Sequence, residues 1–302
     1  MQIDLRDLRY FEKIAELGHV RKAAEQLHLS QPALSKCIRR LEDILGAPLF
    51  ERAGRGIQLT AVGQVLLRQA RKLNNLTEHA LQEVSEFAKG ETGIVRVGCG
   101  PVMAESLMPN ICELAMQQMP RVRLQITLGM NYFLREQLRQ GNLDLILGLV
   151  SESDDEFVMH PLMDDTVVVA ASPAHPLFRK QRVVIEDLLA YRWLLPIHAV
   201  ASRQWLDEAF RSRGMVLPQA QIETNTIPLL LTTVAKSLLL CFVSRHTLSF
   251  QPNTPRLEEL KIDATTLQRK LGLSMMPGSS SPSVGRFVNL LSEHALQLQY
   301  DS

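Results

Sequence analysis

The sequence predicts a chain in two parts. An N-terminal all-α part carries a helix-turn-helix, a winged extension and a long helix, and a C-terminal part is α/β. Three observations predict this: the residue pattern over Val20–Arg40, a proline-free apolar stripe from Thr60 to about Ala88, and a switch near Ile94 to short apolar strands alternating with amphipathic helices. The 302 residues allow two to three compact units, and 46% apolar content is ample for their cores.

Residues 4 to 17 place Leu5, Leu8, Phe11, Ile14 and Ala15 on one side of a first helix, and Gly18 ends it. Ala23, Ala24 and Leu27 give a second, short helix a small apolar face that lets another helix come close, and His28-Leu29 makes the turn. Ser30 is a favoured N-cap and Pro32 sits where a missing N–H does no harm. The helix that follows carries Leu34, Ile38 and Leu41 on one face and Gln31, Ser35, Lys36, Arg39 and Arg40 on the other. This describes a helix-turn-helix whose second helix can enter a DNA major groove; the alternative is a helical hairpin with a solvated charged face. Residues 49–59 read as the wing, with Phe50 and Ile57 inward and Arg52, Arg55 and two glycines at the tip. Such a tip can lie on phosphate or reach the minor groove, although Arg52 equally suits a structural ion pair. From Thr60, Leu66, Leu67, Ala70, Leu73, Leu76, Ala80, Leu81, Val84 and Phe87 form a wide stripe along a rod of roughly 40 Å. With no core of its own, the stripe is expected to meet its copy in a second subunit; a bundle helix within one domain is the alternative. Lys89-Gly90-Glu91-Thr92-Gly93 is the expected hinge.

Beyond Ile94 the expected elements are strands at 94–98, 122–128, 143–150, 167–170, 193–195, 221–224, 238–243 and 267–275. Between them come helices after Pro101, at 131–140, 185–190, 202–213 and 229–236, and a final helix at 284–299. The alternation indicates mainly parallel sheets covered on both sides.

The run from Leu8-Arg9-Tyr10-Phe11 through Leu41-Glu42, Gly46, Leu49-Phe50 and Leu59-Thr60-x-x-Gly63 closely resembles the LysR-type transcriptional regulators. A thinner resemblance continues through Val95-x-Val97-Gly98, Leu138-x-x-Gly141-x-Leu143-Asp144-Leu145 and His175-Pro176-Leu177. It implies a DNA-binding domain over residues 1–59, a dimerising linker helix and hinge over 60–90, and an effector-binding domain over 91–302. The last is built like a two-lobed periplasmic solute-binding protein, with lobe I at 91–161 and 266–302 and lobe II at 162–265. The implied function is sequence-specific transcription regulation under a small-molecule effector, expected to be a sugar, an organic acid or an aromatic-acid catabolite. Implied partners are promoter DNA, the effector, a second copy pairing into dimers and tetramers, and RNA polymerase if the protein activates.

For DNA, Gln31, Pro32, Ser35, Lys36 and Arg39 are expected at or near base edges, and Ser30, Arg40, Arg52 and Arg55 on phosphates. For the effector, the rule that ligands sit beyond the carboxyl ends of parallel strands points to Gly100, Pro101, Val102, Met103, Asn131 and Leu149 in one lobe. In the other it points to Ser202, Arg203, Thr224 and Thr226. Asn131 falls where relatives place a small hydroxyl residue, but also suits a helix cap; Arg203 reads as a charge partner or a solvated helix residue; Thr224 also suits a plain strand end. Relatives often start the first of these helices with Ser or Thr where this chain has Val102 and Met103, and carry Gly-x-Gly where it has Lys236–Leu240, which suggests a more apolar pocket.

Other chemistry finds little support. Lys plus Arg number 33 against 32 Asp plus Glu, so only local clustering marks a nucleic-acid binder. Cys37, Cys99, Cys112 and Cys241 lack zinc-site spacing and fit a reducing cytosol. Asp4, Arg6 and Asp7 stand where an export signal needs an apolar core, and Ile227–Val243 is too polar to span a bilayer, so a cytoplasmic location off the membrane is expected. No catalytic residue, metal site or cofactor is expected: Gly98-Cys99-Gly100 is only a fragment of a dinucleotide fingerprint. The competing functions are a ligand-insensitive DNA binder with a vestigial cleft, and an enzyme or solute-binding protein with a fused DNA reader.

Overall fold

A computed structural model describes residues 3–53, 56–89, 93–151, 155–249, 256–278 and 281–300. Arg55 at the wing tip, the middle of the hinge (90–92), parts of the loops expected at 151–156 and 277–282, and the side chain of Phe87 lie outside the described residues. The chain forms two compact units, residues 1–90 with 139–142, and the remainder.

In the first unit, helix α1 (Leu5–Leu17) starts where the Asp4 carboxylate accepts from Arg6 N–H and stops at Gly18, whose φ of 62° needs a residue without a Cβ. Helix α2 (Val20–Gln26) follows, then a turn in which His28 takes a left-handed φ of 54°. Helix α3 (Gln31–Leu45) begins as the sequence predicts: the Ser30 hydroxyl accepts from Ala33 N–H at 3.3 Å, and Gly46 closes the far end. Leu8, Phe11, Ile14, Ala23, Ala24, Leu34, Ile38, Leu41 and Leu49 fill the core between them.

Strands β1 (Phe50–Ala53) and β2 (Gly56–Leu59) pair antiparallel as the wing. Ile57 N–H donates to Gly18 O at 3.0 Å, and a Cβ on Gly56 would lie 2.8 Å from that oxygen, so the tip end of β2 requires glycine. Helix α4 (Ala61–Lys89) carries two apolar faces. Leu66, Leu67 and Ala70 join the core, and Asn74 Nδ2 donates to Glu12 at 2.7 Å, so the first half of the helix does pack within its own unit, contrary to expectation. Val65, Leu73, Leu76, Leu81 and Val84 are exposed.

The second unit runs β3 (Gly93–Cys99), α5 (Pro101–Ser106), α6 (Met108–Gln118), β4 (Val122–Leu128), α7 (Asn131–Arg139), β5 (Leu145–Val150) and β6 (Val158–Ala171). Two 3-10 turns precede β7 (Trp193–Leu195), α8 (Ala201–Arg211), β8 (Ala220–Glu223), α9 (Ile227–Ala235), β9 (Leu240–Ser244) and α10 (Arg245–Ser249). β10 (Glu258–Leu260), β11 (Leu267–Met275) and α11 (Pro282–Tyr300) complete it. The strand order is β4-β3-β5-β11-β6-β9-β7-β8, with β10 on β6.

The sheet is mixed rather than mainly parallel. β3 pairs parallel with β4 and β5, and β7 with β8 and β9, but β6 and β11 run antiparallel to each other from Val158↔Met275 to Val167↔Leu267. The chain crosses between two cores twice, once each way, and these are the crossing strands. One core gathers Val95, Val97, Ile111, Leu145, Leu147 and Phe287; the other gathers Val167, Val169, Trp193, Leu206, Phe210 and Phe242. Other departures are local. The helix expected after Pro101 breaks at Leu107, because Pro109 supplies no N–H to the preceding turn, and Met116 is exposed. Strand β6 begins at Val158 instead of Val167, and α10 and β10 were not foreseen. Among the described residues no helix is long and apolar enough to cross a membrane.

Candidate DNA-reading face and effector cleft

The core packing of Leu34, Ile38 and Leu41 turns the opposite face of α3 outward. Gln31, Pro32, Lys36 and Arg39 are exposed and Ser35 is half-buried. Lys36 and Arg39 have no side-chain partner among the described residues, and neither does exposed Arg52 on β1. Two of the expected phosphate contacts also have structural partners. The Ser30 oxygen is the acceptor that caps α3, which leaves its O–H to donate outward. Arg40 grips Asp7 of α1 through Nε at 3.0 Å and through Nη2, so it ties two helices together, although its side chain remains 49% exposed. Asp7 is 1% exposed, and it also takes the Cys37 thiol at 3.3 Å.

In the second unit β3, β4 and β5 run parallel, so their carboxyl ends open along one edge. Gly100 N–H donates to Leu147 O at 2.8 Å. A Cβ on Gly100 would lie 3.6 Å from Gly148 Cα, and one on Gly148 would lie 3.5 Å from Asn131 Oδ1. Gly100, Gly148 and the Asn131 amide therefore meet at this edge, as the strand-end rule anticipates. Pro101, Val102 and Leu149 are half-buried beside them. Met103 is not: it is fully buried in the core with Val95 and Ile111, because it falls on the inner face of α5.

The carboxyl ends of β7 and β8 form a second edge. Thr224 N–H donates to Leu195 O at 3.0 Å, Asn225 Oδ1 accepts from Ile197 N–H at 3.3 Å, and Thr224 Oγ1 accepts from Thr226 N–H at 3.1 Å. Ser202 is buried. Arg203 is neither solvated nor a free charge partner. It is 7% exposed, its Nε lies 2.9 and 3.0 Å from the two Asp207 oxygens, and its Nη1 is 3.4 Å from Glu223. The i,i+4 spacing of Arg203 and Asp207 was the sequence signal for this pair. Asp207 is itself buried and takes exposed His198 through Nδ1 at 3.2 Å. His198, Asp207, Glu223 and Asn225 were not singled out in the sequence. None of the expected effector residues lines the cavity of about 690 Å³ that lies between Lys180–Glu186 and Glu258–Ala264.

Residues 5–64 match the family model described as bacterial regulatory helix-turn-helix protein, lysR family, and residues 88–296 match the LysR substrate binding domain. The chain is similar to the RuBisCO operon transcriptional regulator of Allochromatium vinosum, 28% identical over 300 residues that cover 99% of this chain and 98% of that protein. It is 33% identical over 225 residues to the HTH-type transcriptional regulator PcaQ of Agrobacterium fabrum, covering 74% and 72%. The crystal structure of CbnR, a LysR family transcriptional regulator, matches with a TM-score of 0.69 at 19% identity over 97% of this chain and 99% of that one, which shows a shared fold. The chain belongs to the LysR family of DNA-binding transcriptional regulators, in which a helix-turn-helix is joined to an effector-binding domain.

Proposed function

We propose that α3 reads promoter DNA with Gln31, Pro32, Ser35, Lys36 and Arg39 at or near base edges, while Arg52 and Arg55 lie on phosphate. The observation that carries this is the pair of exposed, unpartnered cations, Lys36 and Arg39, on a helix whose other face is locked into a core. A duplex offers such a face both guanine edges and phosphates. Two copies pair through the exposed stripe of α4, so that two readers face one operator. These dimers assemble further into tetramers on DNA, in the cytoplasm, and meet RNA polymerase where the protein activates. The protein acts by binding rather than by turnover. In this reading residues 1–59 form the reader, 60–90 the linker, 91–161 with 266–302 lobe I, and 162–265 lobe II.

The effector sits between the edge formed by Gly100, Asn131 and Gly148 and the edge formed by Pro196–Ser202 and Thr224–Thr226. Two carboxylates already surround Arg203, so its guanidinium is matched before an acidic ligand arrives. This corner favours a neutral, hydroxyl-bearing molecule of the sugar class over an aromatic acid. Thermal melts of the full chain with neutral hexoses and with hydroxybenzoates test this, because a ligand of the native state raises stability by RT ln(1 + [L]/Kd). A saturable rise with a sugar is expected; a rise with the acids alone would contradict it.

A further inference from the structure

Arg39 and Arg40 are neighbours in sequence with different surroundings. An α-helix turns about 100° per residue, so Arg40 stands one turn after Lys36 at the edge of the outward face, with its side chain 49% exposed. It meets α1, where Asp7 is 1% exposed. Among the described residues, every side-chain partner of that carboxylate comes from α3: Arg40 Nε at 3.0 Å, Arg40 Nη2, and Cys37 Sγ at 3.3 Å. A carboxylate buried this deeply is tolerated only when paired. The thiol remains a donor, since burial and then the bond to Asp7 push its pKa up to about 12.

We propose that Asp7 is a positioning and specificity-determining residue of the DNA reader. It fixes the rotation of α3 against α1 through a two-point grip, and the same grip withholds Arg40 from the DNA backbone. Phosphate contacts supply the sequence-independent part of DNA affinity. An acid that occupies one arginine of the recognition helix therefore lowers that part and leaves base reading a larger share. The phosphate attraction of α3 then rests on Lys36 and Arg39.

The test uses the full chain and a short duplex of arbitrary sequence, with binding measured against NaCl concentration, so no operator is needed. Each phosphate contact contributes about 0.9 to the slope of log K against log salt. On arbitrary sequence, where no base contact is made, Arg39 rests on phosphate, so Arg39→Ala should flatten the slope by about that amount. Arg40→Ala should leave the slope at the wild-type value while lowering the melting temperature, and Arg40→Lys should recover part of that stability. Asp7→Asn should release Arg40, steepen the slope by about 0.9 and tighten binding to arbitrary DNA. Asp43→Asn, the same charge change at an exposed position of α3, should do neither. The proposal is overturned if Arg40→Ala flattens the slope as Arg39→Ala does, or if Asp7→Asn changes it no more than Asp43→Asn. Should Asp7→Asn fail to fold, the Arg40→Ala slope decides alone.

Discussion

Arg39 in the N-terminal unit and Arg203 in the C-terminal unit carry the same sequence signal, a cation on a helix beside a polar stretch, yet the fold treats them oppositely. Arg39 is exposed and has no side-chain partner among the described residues. Arg203 is 7% exposed and shared between Asp207 and Glu223. A free cation on a rigid surface is available to an outside anion, and the repeating phosphates of DNA are such a partner. A buried cation matched by its own carboxylates is part of the architecture, and removing one side of the match leaves an uncompensated charge. At Arg39 the DNA half thus keeps its charge outward, whereas the corner of the effector half neutralises its own.

Asp207→Ala gives the largest expected effect on this contrast. It leaves buried Arg203 with only the more exposed Glu223, which should cost about 3 kcal/mol in urea unfolding of the full chain. A loss below about 1 kcal/mol would mean that Arg203 is hydrated and the contrast fails. Next comes Arg39→Ala, expected to weaken specific DNA binding by roughly 1–3 kcal/mol in a titration, with thermal stability nearly unchanged. A large drop in melting temperature would make Arg39 architectural as well. Ser30→Ala should cost about 1 kcal/mol of stability through the lost cap, with Ser30→Asp close to wild type. If Ser30→Ala cuts DNA affinity but not stability, Ser30 contacts phosphate after all.

The smallest effect is a pH dependence of the effector unit. His175 is buried, accepts from Leu177 N–H through Nδ1 at 3.2 Å, and has Nε2 3.3 Å from Leu238 O. Burial lowers its pKa below 6.5, partly offset by the bond to Leu238. The unfolded chain then binds more protons at this site. The stabilisation it lends is complete above pH 6.5 and is lost as pH falls toward the lowered folded value. His175→Gln should flatten that part of the curve of unfolding free energy against pH; an unchanged curve would remove His175 as its source.

The reader was legible because its signals are local. Ser30 lies three residues from the N–H it caps, Gly18 and Gly46 end their helices directly, and the 3/4 spacing of Leu34, Ile38 and Leu41 fixes which face is free. The tie of Arg40 to Asp7 was not legible because the two lie 33 residues apart on different helices. Val102 and Met103 are adjacent, and only the phase of α5 against the sheet sends Met103 into the core. The start of β6 was hidden by Pro161, Asp164 and Asp165, which look like a loop. Asp165 is nevertheless buried, held by Ser244 and by Arg269 at a separation of 104 residues. The effector edge was legible as a rule about strand ends, but the Arg203–Asp207–His198 arrangement depends on how the loop after β7 folds back on α8.

The most direct test is selection from a random-sequence duplex library by wild-type protein and by Arg39→Ala in parallel. Wild-type protein should enrich one motif with two related half-sites, and Arg39→Ala should lose preference at specific positions of each half-site. Enrichment of the same motif to the same extent by both proteins would contradict the assignment of the outward face of α3 as the DNA reader.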